Sequence, residues 1–210
     1  MRTVLSSLCL AGLFLLSGNG IVRSADEKGD FFNGKDLEGW EGLPEFWSVK
    51  EGAIVGAAPA DLKFNTFLCS KKKFKDFEMK FQVRLKGGRG NSGVQVRSEV
   101  FDRKRFAVKG PQADIGQGYW GSLYGEQFGG MMKEAPREQV NKVLKKDDFN
   151  DYSIKCVGKH CLIKVNGVTT VDQDFAKMPD EGIIALQLHG NMGAMEVTFK
   201  NIEFKDLSTK

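Results

Sequence analysis

The sequence has little cysteine, proline, histidine or net charge. Four cysteines and two histidines in 210 residues, with no Cys-x-x-Cys pair, lack the spacing of a zinc site. Five prolines supply no Pro-rich linker, and no low-complexity tract or internal repeat divides the chain. The net charge of +4 is too small to argue for nucleic acid as a partner. Lys71-Lys72-Lys73 is the one tight basic run and reads as a solvated turn before Phe74. Helical periodicity is weak outside Arg137–Leu144. The apolar run Val4–Leu16 is too short to span a bilayer comfortably.

That run has a different meaning. Met1-Arg2-Thr3 gives a positive start, Ser17-Gly18-Asn19-Gly20 breaks the apolar stretch, and Val22-Arg23-Ser24-Ala25 offers small residues for cleavage. Residues 1–25 are therefore expected to be a signal peptide. Residues 26–210 are expected to form one exported domain, periplasmic or extracellular, with no stable membrane span once the leader is cleaved. Loss of Arg2 and Arg23 brings the net charge to about +2.

What the mature chain does have is alternation. Phe77, Met79, Phe81, Val83 and Leu85 point one way, while Glu78, Lys80, Gln82 and Arg84 point the other. Val94 and Val96 oppose Gln95 and Arg97, and Ile184, Leu186 and Leu188 oppose Ile183, Ala185, Gln187 and His189. With 25 glycines and 16 phenylalanines, this predicts about a dozen short strands. The expected fold is all-β, a two-sheet antiparallel sandwich of jelly-roll type.

Tyr152–Val157 and His160–Val165 flank Gly158-Lys159 and read as a two-residue hairpin. In that register Cys156 faces Cys161 in a close, non-hydrogen-bonded pair. The pair suits either a disulfide in an oxidising compartment or two small apolar side chains in contact.

The polar residues that share a face carry the functional signal. Gln95 with Arg97, Gln112 with Asp114, and Gln187 with His189 each lie two residues apart, so each pair projects from one side of its strand. Glycines surround them, and Tyr119, Trp120 and Tyr124 lie nearby. Amides, a guanidinium, a carboxylate and aromatic rings suit a sugar, whose hydroxyls need directional partners and whose C–H face stacks on rings. A polar sheet face with ordinary cross-strand pairs is the alternative.

Several segments resemble the family of 3-keto-disaccharide hydrolases. They are Phe32–Trp40, Trp47-Ser48-Val49 with Glu51–Ile54, Asp76-Phe77-Glu78, Asn91–Arg97, Gln112-Ala113-Asp114, Leu123-Tyr124, Val165-Asn166-Gly167 and Ile184–His189. They span nearly the whole mature chain in the family's order. The departure is Gly110-Pro111, where many members have Tyr-Glu; Pro111 suggests an altered strand start. The resemblance implies a concanavalin-like sandwich acting on glycosides oxidised at C3.

Such chemistry needs a base near C2, a donor for the C3 oxygen and an acid for the leaving oxygen. By this resemblance His189 could be the base, or a structural histidine within the sheet. Arg97 could hold the C3 oxygen, or form a salt bridge to Glu99 or another neighbour. Asp114 and Glu126 could serve as acid or base, or join His189 around a divalent metal that polarises the ketone. Asn91, Gln95, Gln112, Tyr124 and Gln187 would bind hydroxyls. His160, at a hairpin tip, reads as structural. Three functions follow: 3-keto-glycoside cleavage, non-catalytic carbohydrate binding at the envelope, or ordinary retaining glycoside hydrolysis. The last ranks third, since no carboxylate pair lies two or four residues apart on a strand of the expected concave face.

Overall fold

The alternating segments pair as strands in the computed structural model of the protein, which describes residues 31–208. The expected leader lies outside the described residues. In chain order the strands are β1 (Trp40–Glu41), β2 (Trp47–Lys50), β3 (Ala53–Ala58), β4 (Thr66–Ser70), β5 (Phe77–Leu85), β6 (Asn91–Asp102) and β7 (Ala107–Gly116). There follow β8 (Leu123–Glu126), β9 (Gly130–Lys133), helix α1 (Arg137–Val143), β10 (Asn150–Val157), β11 (His160–Val165), β12 (Val168–Asp174), β13 (Ile183–Leu188) and β14 (Met195–Asp206).

They form two seven-stranded sheets, each antiparallel throughout. One has the order β1-β4-β13-β6-β7-β8-β9, the other β12-β11-β10-β5-β14-β3-β2. The core lies between them. Phe77, Met79, Phe81, Val83 and Leu85 meet Val94, Val96, Ala113, Ile115, Leu186 and Leu188 there, all buried. The faces read from alternation are the observed ones. Removing this apolar area from water is the main force holding the sheets together.

The first sheet differs from a half-solvated one. On its outer face, Phe67, Cys69, Val108, Ile183 and Ala185 form a second small apolar cluster. The β6–β7 hairpin curls over it, bringing Val100 and Phe106 into contact and the Arg105 carbonyl to the Thr66 hydroxyl at 2.6 Å.

A bulge produces that curl. Gln95 pairs with Gln112 and Glu99 with Lys109, so β6 carries one more residue than β7 in the interval. Pro111 lies in this gap, where its missing N–H breaks no ladder bond to β6. The strand does not start at Pro111 but at Ala107, four residues earlier.

The β10–β11 hairpin has the expected register, with Val157 opposite His160 and Cys156 opposite Cys161. Gly158 adopts φ 55°, as the first position of a two-residue type II′ turn requires. The Cys156 and Cys161 sulfurs stand 3.9 Å apart, well beyond the ~2.05 Å of a bond, so both are thiols here.

Candidate functional site

The outer face of the first sheet holds a cavity of about 580 Å³ beside the apolar cluster. It is lined by Asn65, Asn91, Gln112, Asp114, Tyr119, Tyr124, Glu126, Met131, Glu134 and His189. Six of the nine residues expected at the site from sequence are therefore together: Asn91, Gln112, Asp114, Tyr124, Glu126 and His189.

Strand register explains the convergence. Gln112 pairs with Tyr124 on β8 and with Gln95 on β6, and Asp114 pairs with Gly93. Gly93 is needed for closeness alone. A Cβ there would lie 2.5 Å from Gln112 Cδ, so only glycine lets the Gln112 side chain lie across β6.

Gln112 is the hub of the floor. Its Nε2 donates to Asp114 Oδ1 at 2.8 Å and to Gln187 Oε1 at 3.2 Å, and its Oε1 accepts from Gln95 Nε2 at 3.0 Å. Gln95 and Gln187 are fully buried and do not line the cavity. Their assignment as ligand contacts is corrected: they lie beneath the floor.

Asp114 is 7% exposed. Burial lifts its carboxyl to about 7; the Gln112 hydrogen bond pulls it down and the Glu126 charge adds to the lift. A carboxyl poised near neutrality can act as an acid or a base. Glu126 accepts from Asn65 Nδ2 at 3.3 Å. His189 Nδ1 stands 2.6 Å from the Gly190 carbonyl oxygen. That oxygen can only accept, so Nδ1 carries the hydrogen and neutral His189 keeps its lone pair on Nε2.

Arg97 is not at the site. The bulge turns it to φ 48°, out of the parity that would keep it beside Gln95. Its side chain is buried at the edge of the core. There Nη2 donates to Asp76 Oδ1 at 3.0 Å and Nη1 to the Pro179 carbonyl at 3.0 Å, and the guanidinium also donates to the carbonyls of Lys75 and Gly158. The salt-bridge alternative holds, with Asp76 rather than Glu99 as partner; Glu99 pairs with Lys109.

Among the described residues no group of three His, Cys, Asp or Glu side chains is placed to hold a metal ion. Asp114, Glu126 and His189 line the same cavity but do not form such a group. His160 is structural, its ring nitrogens 2.9 Å from Asp172 and 2.8 Å from Asp174. Trp120 turns away from the cavity into the core.

Sequence reasoning did not assign Asn65, Met131 or Glu134 to the site, and took Tyr119 only as a nearby ring. Asn65 precedes β4, whose place beside β13 depends on long-range pairing. Glu134 follows β9, whose register to β8 shifts at Leu123/Tyr124. Neither carries a local signal. Glu134 also gives the cavity a third carboxylate, which strand spacing alone did not reveal.

A two-sheet sandwich with amides, carboxylates and tyrosines around a cavity in one sheet presents the groups that a sugar's hydroxyls and C–H face require. Residues 27–205 match the family described as 3-keto-α-glucoside-1,2-lyase-like domains, and the chain belongs to that family. A comparison with curated proteins finds no match. Among solved structures, a candidate glycosyl hydrolase from Parabacteroides distasonis is 23% identical, with TM-score 0.60 over 82% of this chain and 96% of that one. A carbohydrate-binding module from Bacillus subtilis is 15% identical, with TM-score 0.58 over 84% and 97%. A legume lectin-like domain from Entamoeba histolytica is 13% identical, with TM-score 0.55 over 82% and 92%. At these identities the likeness is one of fold.

Proposed function

We propose that this protein cleaves 3-keto-glycosides by eliminating the C1 substituent and hydrating the product. The observation that carries the reading is His189, whose Nδ1 is committed to Gly190 while Nε2 is left as a base in the cavity that also holds Asp114. His189 Nε2 takes the C2 proton, which the C3 ketone acidifies, and the electron pair moves into an enolate. The pair returns to form the C1–C2 double bond as the C1–O bond breaks. Asp114 protonates the leaving oxygen. Water then adds at C1 and a proton at C2, giving the free 3-keto sugar. Side-chain donors of Asn91 and Tyr124, and the second N–H of Asn65, are available for the C3 oxygen, in the way an oxyanion hole works. The leader assigned from sequence makes this an exported activity.

The test is release of the leaving group. Purified protein incubated with 3-keto-trehalose or a 3-keto-glucoside is expected to give free 3-keto sugar. His189→Ala is expected to lower the rate by a factor of roughly 10²–10⁴ with the fold intact. No release by the wild type, with sugar binding retained, would leave the second reading, a carbohydrate-binding module. The withdrawal of Arg97 favours that second reading, since no lysine or arginine lines the cavity to meet an enolate.

A further inference from the structure

The buried glutamines under the cavity do not satisfy one another in the orientation described above. Gln187 Nε2 is buried without a hydrogen-bond partner. Gln95 Oε1 faces acceptors: its position lies 3.2 Å from the Pro111 carbonyl oxygen and 3.3 Å from that of Gly110. Only the Ser98 hydroxyl, at 2.6 Å, can donate to it. A buried orphan donor and facing acceptors are both unfavourable.

One concerted reversal of the three amides relieves both, leaving a Gln187 carbonyl oxygen, which is less costly to leave unpaired than an N–H, in the place of the orphan donor. The Gln95 nitrogen then donates to the Pro111 and Gly110 carbonyls, and its oxygen accepts from the Gln112 nitrogen at 3.0 Å. The Gln112 oxygen turns to Gln187, whose nitrogen now has an acceptor at 3.2 Å. In the reversed chain that same oxygen takes the place of Nε2, 2.8 Å from Asp114 Oδ1. Two bare acceptors do not sit at hydrogen-bond distance, so a proton must lie between them. An amide oxygen does not carry one at neutral pH; the carboxyl does.

We propose that Gln95, Gln112 and Gln187 form a reversible amide chain that holds Asp114 as a neutral carboxylic acid donating to Gln112. Gln95 and Gln187 are positioning residues that act through Gln112. The Glu126 charge favours the same state. Glu126 from β8, Glu134 beyond β9 and His189 after β13 share the cavity, and Tyr152 from the other sheet bonds only the Asp114 main-chain oxygen. Burial already lifts this carboxyl.

The protonation state is independent of any substrate; its use as an acid rests on the reading proposed above. Rotation of the carboxyl offers its proton to a leaving oxygen. The Asp114 O–H bond breaks, an O–H bond forms on the leaving group, and a carboxylate remains. The amide chain then reverses and presents the Gln112 N–H to that carboxylate. The same three residues stabilise Asp114 before and after it gives up its proton.

The experiment is isotope-edited infrared spectroscopy of the full-length mature protein labelled with carboxyl-¹³C aspartate, with Asp114→Asn as the subtraction. The wild type is expected to show a carboxylic-acid band, absent from Asp114→Asn, that titrates with a midpoint near 7. Gln187→Met removes the orphan donor that disfavours the carboxylate, so the midpoint is expected to fall by about one pH unit. A merely structural glutamine would leave the midpoint where it is. A wild-type Asp114 that titrates as an ordinary carboxyl overturns the proposal without any variant. So does a midpoint unmoved in a folded Gln187→Met. A midpoint that falls in Gln187→Met, in a protein that turns over no 3-keto-glycoside, supports the amide chain while sinking the hydrolase reading.

Discussion

Arg97 carries a full charge to a place with 1% exposure. Such a charge is tolerated only when its donors are met, and Asp76 with three main-chain carbonyls meets them. Asp76 Oδ1 also accepts from the Gly158 N–H at 2.9 Å, so the pair ties the β10–β11 turn to the first sheet. Replacing Arg97 by Met leaves those carbonyls without a side-chain donor and Asp76 without its counter-charge, with only the Gly158 N–H still bonded to it. Chemical denaturation is expected to show a loss of about 3 kcal/mol, with sugar binding unchanged in the folded fraction. A loss of binding with stability unaltered would return Arg97 to the cavity. Parity of alternation placed Arg97 beside Gln95, and a single left-handed residue broke that parity. Nothing in Val96-Arg97-Ser98 announces this locally, because arginine has no special liking for φ 48°. Gln112, Asp114 and His189 were legible because no bulge intervenes between each and its strand neighbours in the site.

The bulge is an element with its own requirement. Gly182, just before β13, packs against it: a Cβ there would lie 2.2 Å from the Arg97 carbonyl carbon and 2.5 Å from its oxygen. The contact is with backbone, which cannot rotate aside. Gly182→Ala should therefore push β13 away from β6 and destabilise the protein by several times the ~1 kcal/mol typical of a point mutation. Thermal melting checks this, and an unchanged melting temperature would mean that the sheets have slack at the bulge. At this scale the strands themselves were largely legible. Alternation marked β5, β6 and β13, and the two-residue turn fixed the Cys156–Cys161 register. The β8–β9 pairing and the curled β6–β7 hairpin were not. They depend on which strands become neighbours, a decision of the whole sheet rather than of any segment.

For the whole molecule, Asp114 links the site to stability. Its carboxyl sits at about 7 in the fold against 3.8 ordinarily. Between those values the folded protein keeps a proton that the unfolded chain has released. Stability is then greatest below about pH 4 as far as this group is concerned, and falls as pH rises toward 7, by on the order of 4 kcal/mol. Asp114→Asn should be more stable than the wild type at pH 8 and should lose most of this slope. Equal slopes in the two proteins would mean that Asp114 ionises in the fold as it does in water. A site that strains its own fold in this way is a common signature of function, since a carboxylate there is unfavourable unless a ligand or reaction uses it.

The account stands on proton abstraction by His189, and solvent deuterium reports it most directly. A 3-keto-glucoside turned over in D₂O is expected to yield 3-keto sugar carrying one deuterium at C2, beyond an enzyme-free control, with His189→Ala giving product and label at a rate lower by roughly 10²–10⁴. Product formed without deuterium at C2, or formed at the same rate by His189→Ala, would contradict it.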